Sequence, residues 1–150
     1  MNTDKPIWYV DSSVLLRIIM GQSPAAEAWF NSARKRGDHF VASVLLDLEV
    51  NRTENNNAIR TGELANTNLI QEYLADINLV KITPDIIDNA KSLEVILRAA
   101  DSIHVATAHD IGADIIQLVT HDAQMAAGAI ALGLTVIDPV TDDPGRLPVG

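Results

Sequence analysis

The sequence contains no cysteine. That excludes a disulfide scaffold, zinc–thiolate sites, iron–sulfur clusters and cysteine nucleophiles. Aromatic residues make up only 4% of the chain, and no apolar run is long. The longest, Val14 to Met20, is interrupted by Arg17 and is too short to span a bilayer. The opening residues, MNTDKPIWYVDSS, show no basic segment followed by a long apolar one. No signal peptide is read there, and a cytoplasmic protein with no membrane partner is expected. Bases are scarce as well, 11 against 20 acids, for a formal net charge of -9. Nucleic-acid binders usually show a basic face, but net charge says nothing about how the charges are arranged. What is present is enough for one domain: 150 residues, 47% of them hydrophobic and 21% charged. A single domain over residues 1–150 is expected. An irregular tail from residue 139 follows from the three of six prolines gathered there.

The chain reads as alternating strands and helices. Strand candidates are Ile7 to Val10, Phe40 to Ala42, Leu79 to Ile82, Ile115 to Val119 and Leu134 to Ile137. Ser23-Pro24 and Thr83-Pro84 combine an N-cap with proline at the first helical position. Arg34-Lys35-Arg36-Gly37 suits a helix C-terminus. Ser43 can cap a helix that carries Leu45, Leu48, Glu49 and Arg52, and the asparagine-rich stretch Asn51 to Asn57 predicts that this helix breaks or bends. Further helices are predicted over Leu64 to Ala75, from Pro84 with Ile86, Ala90, Leu93 and Leu97 on one face, over Ala99 to Ile111, and over Asp122 to Leu132. Repeated β-then-α order implies an α/β fold. Its mostly parallel sheet, of four to five strands, is covered on both faces.

In an open parallel sheet, ligands bind beyond the carboxyl ends of the strands. Asp11 directly follows the first strand, and Asp122 lies just past the fourth. Glu49 sits early in the helix after the second strand, with Leu45 and Leu48 suggesting partial burial, and Asp101 starts its own helix beside small apolar residues. Each has a plainer reading: Asp11 and Asp122 as N-caps, Glu49 as a surface partner of Arg52. Asp101 is harder to dismiss, because an acid among apolar neighbours needs a partner. Four like charges converging on one cleft need a cation, and hard oxygen donors favour Mg²⁺ or Mn²⁺.

Four segments carry a resemblance to a known family. They are Tyr9-Val10-Asp11-Ser12-Ser13-Val14-Leu15-Leu16, Leu48-Glu49-Val50-Asn51-Arg52, Asp101-Ser102-Ile103-His104-Val105-Ala106, and Leu118-Val119-Thr120-His121-Asp122. In this order and at these separations the sequence resembles a PIN-domain ribonuclease, and within that group the toxin of a VapBC-type toxin–antitoxin pair. The resemblance implies a PIN-like three-layer α/β/α fold. It also implies that Asp11, Glu49, Asp101 and Asp122 bind Mg²⁺ (or Mn²⁺), and that single-stranded or looped RNA is hydrolysed to a 5′-phosphate and a 3′-hydroxyl. The implied partner is a VapB-like antitoxin. Some members carry a further acid one turn past the last motif aspartate, where this chain has Gln124, Met125 and Ala126.

Other residues read either way. Ser12 and Thr120 can hydrogen-bond the carboxylates or a substrate phosphate, or simply form turns. Arg52 can contact RNA, a partner's acid or Glu49. His104 is an orienting or packing residue, and His121 points away from the acids. Arg17, Arg52 and Arg34 to Arg36 can flank the cleft. The apolar stretch Val14 to Met20 and the pair Trp29-Phe30 fit either burial between two layers or the interface of a homodimer or antitoxin. An aspartate-nucleophile phosphatase is the enzyme alternative, but it wants a second aspartate where Ser13 stands. A receiver domain fails for want of an acid pair at Val10-Asp11 and of a lysine after Ile137. A catalytically silent binding module of the same fold is the remaining alternative.

Overall fold

The computed structural model describes residues 5–141. Five strands form one parallel sheet: β1 (Ile7–Val10), β2 (His39–Ser43), β3 (Ile77–Val80), β4 (Ile116–Val119) and β5 (Thr135–Ile137). Their spatial order is β3-β2-β1-β4-β5. Between them run α1 (Ser12–Ile19), α2 (Pro24–Arg36), α3 (Leu45–Thr61), α4 (Thr67–Leu74), α5 (Pro84–Lys91), α6 (Ala99–Gly112) and α7 (Ala123–Ala131). The α/β class and the parallel sheet are as expected.

The topology decides where the helices lie. The chain steps outward from β1 to β2 to β3, then crosses back to β4 and continues to β5. Parallel crossovers are right-handed. Helices of the outward steps, α1 to α4, therefore cover one face, and α5 to α7 cover the other. The packing agrees: α1 meets α2 and α3, and α3 meets α4, while α6 meets α5 and α7. The direction of winding reverses between β1 and β4, so their carboxyl ends open a crevice there. Between the layers lies one core, with Tyr9, Leu15, Phe30, Leu46, Ile70, Ile116, Leu118 and Met125 fully buried.

Local signals explain most of the elements. Ser23 and Thr83 hydroxyls accept from Ala26 and Ile86 N–H, each followed by proline. Gly37 ends α2 at φ +80°, a left-handed conformation that favours glycine. Phe30 is buried and stacks on Phe40 with centroids 4.3 Å apart, while half-buried Trp29 meets Trp8 edge-on at 5.5 Å. The adjacent aromatics are thus core on one side and its margin on the other.

Several expectations need correction. The asparagine-rich stretch does not break its helix: α3 runs 17 residues through it. Its polar side chains bond along the helix, Asn51 Nδ2 to Asp47 O (2.9 Å) and Arg52 to Asn56 Oδ1 (2.7 Å). Polar residues mark this helix as solvated rather than interrupted. The following helix starts at Thr67 rather than Leu64, and β3 begins two residues earlier than read. α5 ends at Lys91, so Leu93 and Leu97 reach the core from the connecting segment. Residues 139–141 form a turn, and the rest of the predicted tail lies outside the described residues.

Candidate active site

Asp11 leaves β1 at the crevice and caps α1. It is 3% exposed. Its Oδ2 accepts from the Ser13 hydroxyl (2.6 Å), the Thr120 hydroxyl (2.9 Å) and Ser13 N–H (3.4 Å). Ser13 Oγ also accepts from His121 N–H (2.9 Å), and Thr120 Oγ1 from Asp122 N–H (3.0 Å). Two hydroxyls therefore tie the end of β1 to the end of β4 and fix one oxygen of Asp11. Capping and site-building are one arrangement here. The serine is Ser13, not Ser12. An N-cap aspartate bonds the residue two positions on, and Ser12 makes no hydrogen bond to the acids among the described residues.

Asp122 caps α7. Its Oδ1 accepts from Gln124 N–H (2.9 Å) and Met125 N–H (3.0 Å). Asp101 lies in the first turn of α6 with its side chain 16% exposed. Burial pushes its carboxyl pKa upward, and the negative charges of Asp11 and Asp122 add to the rise, with Arg98 and His104 opposing.

Glu49 enters from α3. Its partner is His104, not Arg52: His104 Nε2 lies 2.5 Å from Glu49 Oε1. Its neighbours also differ from expectation, since Leu48 is exposed and the buried residues of α3 are Leu46 and Val50. His104 is fully buried on α6, and its Nδ1 lies 2.7 Å from the Tyr9 hydroxyl. The Tyr9 oxygen accepts from Ser43 N–H at 2.9 Å. Burial pushes the Tyr9 pKa far upward, so it stays a neutral hydroxyl. Burial works against a charged His104. The hydrogen bond to Glu49 and the charges of Asp11, Glu49 and Asp101 outweigh it, and the pKa sits above the ordinary value.

Donor atoms of Asp11, Glu49 and His104 lie within 4.8 Å of one another. Both His104 nitrogens already have partners, Glu49 and the Tyr9 hydroxyl. Asp11, Glu49, Asp101 and Asp122 offer hard oxygen donors at this end of the sheet, and the Asp101 pKa is raised first by burial and then by the charges of Asp11 and Asp122. Such a set fits a divalent cation. The chain's own cation there is Arg98, at the N-cap of α6. Its Nε is 3.7 Å from Asp101 Oδ2 and its Nη2 is 3.8 Å from Asp122 Oδ2.

Arg34 and Arg36 pair with Asp76 (3.0 Å) and Asp38 (2.8 Å), which precede β3 and β2. They mark the amino end of the sheet and do not flank the crevice. Arg52 is engaged with Asn56. His121 turns away from the acids, as read, to Asp138 Oδ2 at 2.9 Å. Sequence reasoning missed Tyr9, Ser13 and Arg98. Arg98 had a usable signal in its position three residues before Asp101 on a helix.

Known proteins resemble this chain in sequence and in fold. Ribonuclease VapC46 of Mycobacterium tuberculosis is 32% identical over 135 residues, 87% of this chain and 96% of that protein. Ribonuclease VapC47 of the same species is 24% identical with the same coverage. Among solved structures, VapBC2 from Rickettsia felis, bound to a promoter DNA fragment, matches with a TM-score of 0.68 at 11% identity, over 88% of this chain and 98% of that one. PAE2754 from Pyrobaculum aerophilum matches with a TM-score of 0.59 at 16% identity, over 91% of this chain and 92% of that one. The PIN domain family matches residues 8–132, and the chain belongs to that family.

Proposed function

We propose that the protein is a Mg²⁺- or Mn²⁺-dependent endoribonuclease and the toxin of a type II toxin–antitoxin pair, acting in the cytoplasm. The observation that carries this is the closeness of Asp11 and Glu49, whose oxygens lie within 4.8 Å of each other and of His104, with Asp101 and Asp122 linked beside them through Arg98. Asp11 and Asp101 would hold the ion, with Glu49 and Asp122 completing its surroundings. A divalent ion, when bound, lowers the pKa of water and offsets charge developing on a scissile phosphate. The chain's own part is placement. Ser13 and Thr120 hold Asp11 Oδ2, and His104 aims Glu49. A carboxylate left free of the ion accepts the proton of the attacking water. The water oxygen bonds to phosphorus as the bond to the 3′ oxygen breaks, and the departing 3′ oxygen takes up a proton from solvent, leaving a 5′-phosphate and a 3′-hydroxyl.

The antitoxin partner is supported by the solved relatives, which include toxin–antitoxin complexes from Rickettsia felis and Klebsiella pneumoniae. An acidic crevice suits a basic side chain from such a partner. The phosphatase alternative loses ground, because Ser13, where its second aspartate would stand, is committed to Asp11. The testing experiment incubates purified protein with RNA and Mn²⁺ beside Asp11→Asn and Asp101→Asn. Each substitution is expected to reduce cleavage by roughly a hundredfold or more, as loss of a metal-holding carboxylate should. Cleavage of normal rate in either variant would sink the site. Hydrolysis of a phosphomonoester with RNA left intact would favour the phosphatase.

A further inference from the structure

We infer that Arg98 stands in for a second divalent ion, so that the crevice takes one such ion rather than two. The inference rests on the metal-dependent reading above. One planar guanidinium spans two carboxylates on different helices, 3.7 Å from Asp101 and 3.8 Å from Asp122. Among the described residues no other lysine or arginine pairs with any of the four acids.

Arg98 occupies a position its own helix does not favour. It is the N-cap of α6 and makes no side-chain capping bond. Serine, threonine, aspartate and asparagine are preferred there, and a cation meets the positive end of the helix dipole. Its side chain is 77% exposed, and loose exposed ion pairs contribute little to folding. A local rule broken without gain to the fold points to function. What Arg98 does gain is the field of Asp101 and Asp122.

The surroundings of Asp122 are poor for a second ion. Its Oδ1 is taken by two backbone N–H groups, and its Oδ2 faces Arg98. The first turn of α7 holds no acid. Gln124 turns its amide to Ile96 O at 3.4 Å, toward the segment that leads into Arg98. With one divalent ion and Arg98 in place, the four carboxylates keep a single net negative charge. A second ion would set two cations against the same oxygens, and it binds only by displacing the guanidinium.

The experiment counts Mn²⁺ bound to the full chain by electron paramagnetic resonance, for the unaltered protein, Arg98→Gln and Arg98→Lys. Thermal melts monitored by circular dichroism check that each is folded, which an exposed site permits. The unaltered protein and Arg98→Lys are expected to bind one Mn²⁺ per chain in the micromolar to low millimolar range. Arg98→Gln should gain a second, with its affinity raised about tenfold, as removing one unit charge near 4 Å predicts. Two ions of similar affinity in the unaltered protein would overturn the inference and leave the metal-dependent reading standing. So would a second-ion affinity unmoved by Arg98→Gln. No Mn²⁺ bound at all would overturn both.

Discussion

Removing the Tyr9 hydroxyl separates packing from positioning, because Tyr9→Phe keeps the ring and deletes one oxygen. That oxygen accepts from Ser43 N–H and partners His104 Nδ1. Without it the buried Ser43 N–H is unsatisfied, at a cost of about 1–3 kcal/mol read from a urea melt. His104 also loses the contact that fixes its ring against Glu49. Partners one step behind a metal's ligands typically contribute 10–100-fold to its affinity, so Mn²⁺ binding by Tyr9→Phe should fall by about tenfold. Unchanged Mn²⁺ affinity would mean that Glu49 is aimed without this chain of contacts. Asp38 gives a residue-scale test at the other end of the sheet. Burial pushes its pKa upward, but the hydrogen bonds from Trp8 (3.0 Å) and Arg36 (2.8 Å), with the charges of Arg36 and Lys5, more than offset this and hold it below 3.8. A carboxyl whose folded pKa is depressed adds stability above its ordinary range and loses it as pH falls through the folded value. Asp38→Asn should therefore be less stable than the unaltered protein at pH 7, and the gap in melting temperature should close below about pH 4. A gap that widens on acidification would contradict the assignment.

At the scale of elements, legibility followed the range of the forces involved. Ser23-Pro24 and Thr83-Pro84 were readable because capping is settled within four residues. Asp11 and Asp122 were readable as strand-end acids for the same reason. α3 was misread because its helicity is supported by Leu46 and Val50 packing into the core, which a local count of asparagines does not register. Ser13 needed cap geometry, and Tyr9 needed the register that sets Tyr9 beside Val41, two residues before Ser43. Arg98 bridges acids 3 and 24 residues away: the first spacing is legible in the sequence, and the second needs the topology. The continuity of α3 is itself testable. Asn55 is exposed in its middle, so Asn55→Ala should raise stability by about 0.5 kcal/mol from helix propensity. If the helix broke there, the substitution would leave the denaturation midpoint unmoved.

For the whole molecule, the net charge of -9 matters less than its polarity along the strands. Arg34 and Arg36 are paired at the amino end, while the four candidate metal-binding acids lie toward the carboxyl end, where Arg98 is the one arginine paired with any of them among the described residues. The raised Asp101 pKa means that the folded state resists this carboxylate more than the unfolded state does. At neutral pH Asp101 therefore lowers the stability of the metal-free protein. Asp101→Asn removes a charge disfavoured by burial and by the neighbouring Asp11 and Asp122, and should raise the metal-free melting temperature. Mn²⁺ binds the folded state and not the scattered acids of the unfolded chain, so it should stabilise the unaltered protein by about 2.7 kcal/mol at a hundredfold excess over its dissociation constant. In Asp101→Asn most of that gain should vanish. The two melting curves, without and with Mn²⁺, should thus exchange order: the variant higher in chelator, the unaltered protein higher in metal. If Asp101→Asn is the less stable of the two in chelator, the acid is held by partners within the chain and its repulsion is not what calls for a cation.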